Sequence, residues 1–186
     1  QINKIKKNPS IFIANEFFDA MPIKQFRKQR NIWYEKFVNF ENYSKASFIE
    51  KKTDIKKIEK RLNFKISQNQ NFIEYSEFGF DYLKNISNII KRNTGGLLII
   101  DYGYLEKKMK NTLQAVSNHK FANILDNIGG VDITHNINFE LFKKFTHELG
   151  GLDNYLDTQK NFLIKMGIKQ RAELISKDKN FSKKAD

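Results

Sequence analysis

The chain has 186 residues, 33 Lys+Arg against 21 Asp+Glu and a formal net charge of +12, with hydrophobic residues at 40% and aromatics at 13%. That composition suits a packed core of one ordinary domain and excludes wholesale disorder. The lack of cysteine excludes disulfide staples, thiolate metal sites and cysteine nucleophiles. No apolar run approaches the ~20 residues of a membrane-spanning helix; the longest is Leu97-Leu98-Ile99-Ile100. Residues 1–9 carry no apolar stretch of the kind a secretory signal uses.

The first predicted element is Ile11 to Ala14, short, apolar and free of polar alternation, which reads as a buried parallel strand. Pro22 interrupts the chain soon after it. Ile23 to Phe26 and Ile32 to Phe40 flank Arg27 to Asn31, and the alternation from Trp33 to Phe40 predicts an antiparallel hairpin. Residues 41–70 are polar and lysine-rich, with a short helix expected over Asp54 to Leu62. Phe78 to Lys91 has a helical apolar period. Gly95-Gly96 then leads into Leu97 to Ile100 and the acid Asp101, a helix–turn–strand unit of a parallel sheet. Phe139 to Leu149 reads as a helix stopped by Gly150-Gly151, and Asn161 to Ile175 as a second one, kinked at Gly167. A doubly wound α/β sheet follows, with a polar tail over 176–186.

Charge invites a nucleic-acid reading, but only five of the 33 basic residues are arginines. Lysine, Asn, Ile and Phe throughout the chain fit compositional drift toward AT-rich codons. A nucleic-acid groove concentrates arginine and interleaves aromatics on one face. Solvated lysine is the favoured explanation and an anionic partner the alternative.

Ligands of open α/β sheets bind beyond the carboxyl ends of the strands. Two segments qualify: Asn15-Glu16-Phe17-Phe18-Asp19-Ala20-Met21-Pro22 and Asp101-Tyr102-Gly103-Tyr104. Glu16 and Asp19 can converge on a cation and accept paired bonds from a planar guanidinium. Alternatively, Asp19 caps a helix starting at Ala20 and Glu16 is merely exposed. Asp101 and Tyr102 either line a substrate cleft or, in the case of Asp101, hold loop amides. His119, His135 and His147 lack metal-ligand spacing.

Ile13 to Ile23 closely resembles the signature of the MidA-like methyltransferase family. The resemblance continues in order through Trp33-Tyr34-Glu35, Gly95 to Gly103, Thr112 to Val116, His119, Gly130 to Thr134, Asn138-Phe139, Gln159, Phe162-Leu163, Met166 to Ile168 and Arg171-Ala172. It implies a Rossmann-like class I methyltransferase sheet, partial and lacking its first strands, with an inserted antiparallel hairpin at about 23–75 of a domain over 1–175. It also implies S-adenosyl-L-methionine as cofactor and protein arginine as acceptor, the family including a mitochondrial enzyme of respiratory complex I assembly. On the family pattern Glu16 and Asp19 are the expected catalytic clamp, Asn15 a cofactor contact, and Asp101, Tyr102 and His119 substrate-side residues. The glycine-rich cofactor loop that family members carry ahead of this block has no counterpart, since the sequence holds no G-x-G. The chain also opens without Met. It is therefore expected to be the carboxyl-terminal half of the enzyme and, alone, neither to bind cofactor tightly nor to turn over. The expected setting is bacterial cytoplasm, or mitochondrial matrix in a eukaryote. The competing functions are a non-catalytic assembly module and a nucleic-acid amino-group methyltransferase.

Overall fold

The computed structural model describes residues 8–42 and 45–177, which fall into two compact units, the first ending at Leu152 and the second starting at Asp153. In the first unit the chain begins with β1 (Ser10–Asn15) and a loop, then enters an antiparallel sheet. Strands β2 (Lys24–Gln29) and β3 (Ile32–Asn42) form the expected hairpin, Phe26 opposite Glu35 and Gln29 opposite Ile32. Their connection, Arg30-Asn31, has positive φ at both residues, the two-residue turn whose twist matches the flanking strands.

The polar segment that follows holds more order than its composition predicts. β4 (Lys45–Thr53) pairs along β3, Val38 opposite Phe48 and Trp33 opposite Thr53. Lysine masked this strand because it lies at the sheet edge, where charged side chains are the usual protection against stray pairing. Its lysines and acids are tied across the ladder: Glu50 takes paired bonds from Arg27 at 3.0 and 2.7 Å, and Lys51 lies over the Phe37 ring. Helix α1 (Ile55–Leu62) starts where expected, with Asp54 accepting from the Lys56 amide and Asn63 closing it in a left-handed conformation. β5 (Phe72–Tyr75) completes the sheet in the order β4-β3-β2-β5.

Helix α2 (Glu77–Asn93) is capped by Ser76, and its turn at Thr94 delivers β6 (Gly95–Ile100) parallel to β1, from Ser10 opposite Gly95 to Asn15 opposite Ile100. Short strands follow: β7 (Gly103–Tyr104), β8 (Gln114–Ser117), β9 (Lys120–Ala122), β10 (Asp132–Thr134) and β11 (Ile137–Asn138). β10, β8 and β9 make an antiparallel sheet, and β11 runs parallel to β7. Helix α3 (Phe139–Gly150), capped by Asn138 and closed by Gly151 at φ +60°, ends the first unit.

The core is aromatic. Phe80 of α2 lies against Phe145 of α3 with ring centroids 4.1 Å apart, and Phe64, Phe142 and Tyr75 ring this pair. Phe26 and Ile73 of the antiparallel sheet and Leu83 of α2 are fully buried. Fully burying side chains of this size contributes roughly 1.5–3 kcal/mol each.

Two expectations need correction. β1 is parallel, as read, but it is buried on one face only: Ala14 is buried, whereas Ile11 is 80% and Ile13 69% exposed. α2 is the helix that packs on this strand pair, and among the described residues nothing comparable covers the Ile11 face. The last helix is broken rather than kinked. In the second unit α4 (Gln159–Lys165) and α5 (Ile168–Lys177) are separated by Met166 and by Gly167 at φ +87°. Of the expected polar tail, residues 178–186 lie outside the described residues.

Candidate functional site

β1 and β6 end side by side, and the loops leaving them form the site. At the end of β1 the Glu16 amide donates to the Ile100 carbonyl at 2.8 Å, continuing the ladder by one bond. Glu16 itself adopts φ +45°, a conformation that costs a non-glycine residue about 1–3 kcal/mol and turns the chain sharply out of the sheet. Phe18 then anchors the loop. It is fully buried, edge-on to Phe142 at 5.2 Å, while the half-exposed Phe17 packs edge-on to Tyr82 of α2. The Met21 amide donates to the Phe18 carbonyl, so residues 18–21 form a turn; no helix starts at Ala20, and Asp19 is not a helix cap.

Asp101 pins this loop to the neighbouring strand. One carboxylate oxygen accepts from the Phe18 amide at 3.0 Å and the Asp19 amide at 3.4 Å; the other accepts from the Tyr102 amide at 2.9 Å. Burial, helped by the charge of Asp19, pushes the Asp101 carboxyl up, against the pull of its three amide donors. From the opposite side the His135 amide donates to the Asp19 carbonyl at 2.9 Å, so the backbone of Asp19 is held at both ends. Its side chain is buried, and Oδ1 has no hydrogen-bond partner; Nε2 of the buried His135 has none either. Buried polar atoms are nearly always paired, so these two orphans, on residues in backbone contact, make Asp19 and His135 candidates for contact with a polar group.

The structure thus brings Asn15, Glu16, Asp19, Asp101 and Tyr102 to adjacent strand ends. Asn15 and Glu16 are exposed there, Tyr102 is 62% exposed, and Asp19 alone is buried. His119 is elsewhere: with Asn118 it forms the exposed, positive-φ turn between β8 and β9, at the far end of β8 from Gln114 and Thr134. His135, not singled out by sequence spacing, is the histidine that meets this loop, through its amide.

A second missed residue supports His135. Glu74 of β5 is buried and accepts from Gln25 Nε2 at 2.5 Å, from the Thr112 amide at 3.2 Å through each of its oxygens, and from the Thr112 hydroxyl. Thr112 Oγ1 in turn accepts from the Asn136 amide at 2.8 Å. A buried carboxylate therefore fixes the segment that presents His135. The only sequence signal for it was an acid inside the otherwise apolar Phe72-Ile73-Glu74-Tyr75.

The described residues contain no group of three metal-ligating side chains and no helix long and apolar enough to cross a membrane. Among the described residues no glycine-rich loop lies at these strand ends, and the exposed Asn15 side chain is the one expected to contact S-adenosyl-L-methionine.

A parallel strand pair with polar loops at its carboxyl ends, flanked by helices and an inserted antiparallel sheet, is the architecture of part of a Rossmann-like methyltransferase. Residues 1–156 match the family described as "Putative S-adenosyl-L-methionine-dependent methyltransferase", and the chain belongs to that family. It is 28% identical to the zebrafish mitochondrial protein arginine methyltransferase NDUFAF7, across 94% of this chain and 41% of that protein. The Caenorhabditis elegans homologue is 27% identical, across 91% of this chain and 40% of its own length. A Burkholderia thailandensis structure bound to S-adenosyl-homocysteine superposes with a TM-score of 0.60 at 17% identity, covering 80% of this chain and 40% of the other. The chain spans about two fifths of the length of these relatives.

Proposed function

We propose that this chain forms the acceptor side of an S-adenosyl-L-methionine-dependent methyltransferase that modifies arginine in a protein partner. Its family membership and the arginine methyltransferases among its relatives support that reaction class. The observation that carries the assignment of residues is that Asp19, whose buried Oδ1 is unpartnered, is joined through its carbonyl to the amide of His135, whose Nε2 is unpartnered too. The cofactor supplies an electrophilic methyl group, and the chain's task is to hold and activate the acceptor nitrogen.

A guanidinium is a weak nucleophile because its lone pairs are delocalised. A carboxylate that accepts from the far nitrogens localises positive charge there and leaves the near nitrogen richer in electrons. Asp19 is placed for that role inside the site, with Glu16 at its exposed rim drawing the cationic side chain in. The unpartnered Nε2 of His135 is the candidate acceptor for the proton that the acceptor nitrogen must lose. Asp101 positions the loop, and Asn15 and Tyr102 edge the entrance. A subunit of respiratory NADH dehydrogenase is the proposed partner, in mitochondrial matrix or bacterial cytoplasm.

The test is methyl transfer by the gene product from labelled cofactor to purified NADH dehydrogenase, read by mass spectrometry of arginine. Asp19→Asn and His135→Gln are each expected to lower the rate by about 10²-fold. Label confined to nucleic acid would replace this reading with the amino-group alternative. Binding of the dehydrogenase without methylation would leave an assembly module. By calorimetry the isolated 186-residue chain is expected to show no micromolar affinity for the cofactor; such affinity would refute the acceptor-side assignment.

A further inference from the structure

Away from the strand ends, three segments line an open hollow of about 590 Å³: the loop after α1, the loop after β7 and one face of α3. Its size lies within the range of small-molecule sites. Its charge is one-sided. Lys65, Lys107, Lys108, Lys143 and Lys144 line it against a single acid, Glu140. Its lining also includes the buried apolar side chains Ile66, Met109 and Leu141.

The walls are built rather than draped. Gln70 bridges the two loops, its Oε1 accepting from the Met109 amide at 3.0 Å and its Nε2 donating to the Lys107 carbonyl at 2.7 Å. Lys108 Nζ donates back to the Asn69 carbonyl. Ser67, at the root of the first loop, is fixed by Glu59 through both its amide, at 2.8 Å, and its hydroxyl, at 2.7 Å. Asn138 closes the third side, donating to the Glu106 carbonyl at 3.2 Å and accepting from the Leu141 amide at 3.0 Å. Among the described residues Lys65 and Lys107 have no carboxylate partner, so their charge is available to a guest.

We propose that this cavity binds an organic phosphate, a compact molecule whose multiply charged phosphate groups face the lysines and whose apolar body rests on Ile66, Met109 and Leu141. Lys144 is paired with Glu148 at 3.7 Å and Lys108 with the Asn69 carbonyl, so Lys65 and Lys107 carry the charge offered to a guest in this hollow. S-adenosyl-L-methionine is not the guest, because its net charge at neutral pH is positive. None of the lining residues belongs to the Asp19–His135 site, so the inference stands apart from the proposed methyl transfer.

ATP, inorganic pyrophosphate and adenosine are the probes, titrated calorimetrically into the 186-residue chain. ATP is expected to bind with a Kd of about 100 µM, more tightly than pyrophosphate, and adenosine to give no signal. Lys65→Glu/Lys107→Glu should weaken ATP by at least about tenfold, whereas the charge-matched pair Lys56→Glu/Lys57→Glu, on exposed α1 positions, should change it less than about twofold. Unchanged melting temperature in both pairs verifies the comparison. Equal weakening by the two pairs, or no ATP binding at about 1 mM, would overturn the proposal.

Discussion

Single atoms decide the behaviour of two residues, one half-buried and one buried. Among the described residues Asp101 is the acceptor for the amides of Phe18 and Asp19, so Asp101→Ala strands two donors within the loop. Unfolding in urea is expected to show a loss of about 1–3 kcal/mol, with faster proteolysis at residues 15–22. Tyr75 is the opposite case: its buried hydroxyl makes no well-formed hydrogen bond, with the Arg61 guanidinium nearby. Burial, reinforced by Glu77 and opposed by Arg61, pushes its phenol up to about 12. The unfolded chain ionises this group from about pH 10, so unfolding releases a proton and stability falls as pH rises from about 10 to 12. Tyr75→Phe removes both the buried hydroxyl and this pH dependence. Its stability at pH 7 should equal or exceed that of the parent by up to about 1 kcal/mol, and its alkaline unfolding curve should be flatter. Little of this was legible beforehand. Asp101 could be located from its place after four apolar residues, but choosing between a cleft carboxylate and an amide acceptor required seeing Phe18 fold back. His135 was invisible because its partner, Asp19, is 116 positions away and meets it through backbone.

At the scale of elements, legibility followed hydrophobic periodicity. α2, α3 and the β2–β3 hairpin each announce themselves by a repeating apolar position and a stop signal, and each appears within a few residues of its expected span. β4 did not, because an edge strand needs only half its side chains apolar and its lysines resemble a loop. β7 and β11 are too short to carry any period. The joint between α2 and β6 is where a local choice controls the parallel pair. Gly95 sits at φ +130°, and a Cβ there would lie 1.9 Å from the Ser10 carbonyl oxygen. That contact involves backbone and has no flexible end to yield. Gly95→Ala is accordingly expected to cost about 3 kcal/mol or more and to loosen β1 from β6, seen as faster amide exchange over residues 10–15. Gly96, with open space around it, should accept alanine far more readily.

For the whole molecule, the family resemblance fixed what composition could not. Charge read alone favoured solvated lysine, with an anionic partner as the alternative; the strand ends present carboxylates, and five lysines line a separate hollow. The antiparallel sheet and the aromatic core give the first unit a packed interior of its own, so the chain is expected to fold without its relatives' additional length.

The bare face of β1 has a practical corollary. β1 and β6 pair only with each other among the described residues, which leaves an outer rail of backbone donors and acceptors on each, beside Ile11 and Ile13. An open, apolar, parallel ribbon is a template on which another extended segment can crystallise into a sheet. The purified chain should therefore self-associate with rising concentration. Ile11→Lys/Ile13→Lys should suppress that in sedimentation velocity while leaving the melting temperature close to the parent's, because those side chains contribute little to the interior. Crowding on that ribbon, rather than any weakness of the aromatic core, would then set how concentrated a solution of this protein can be.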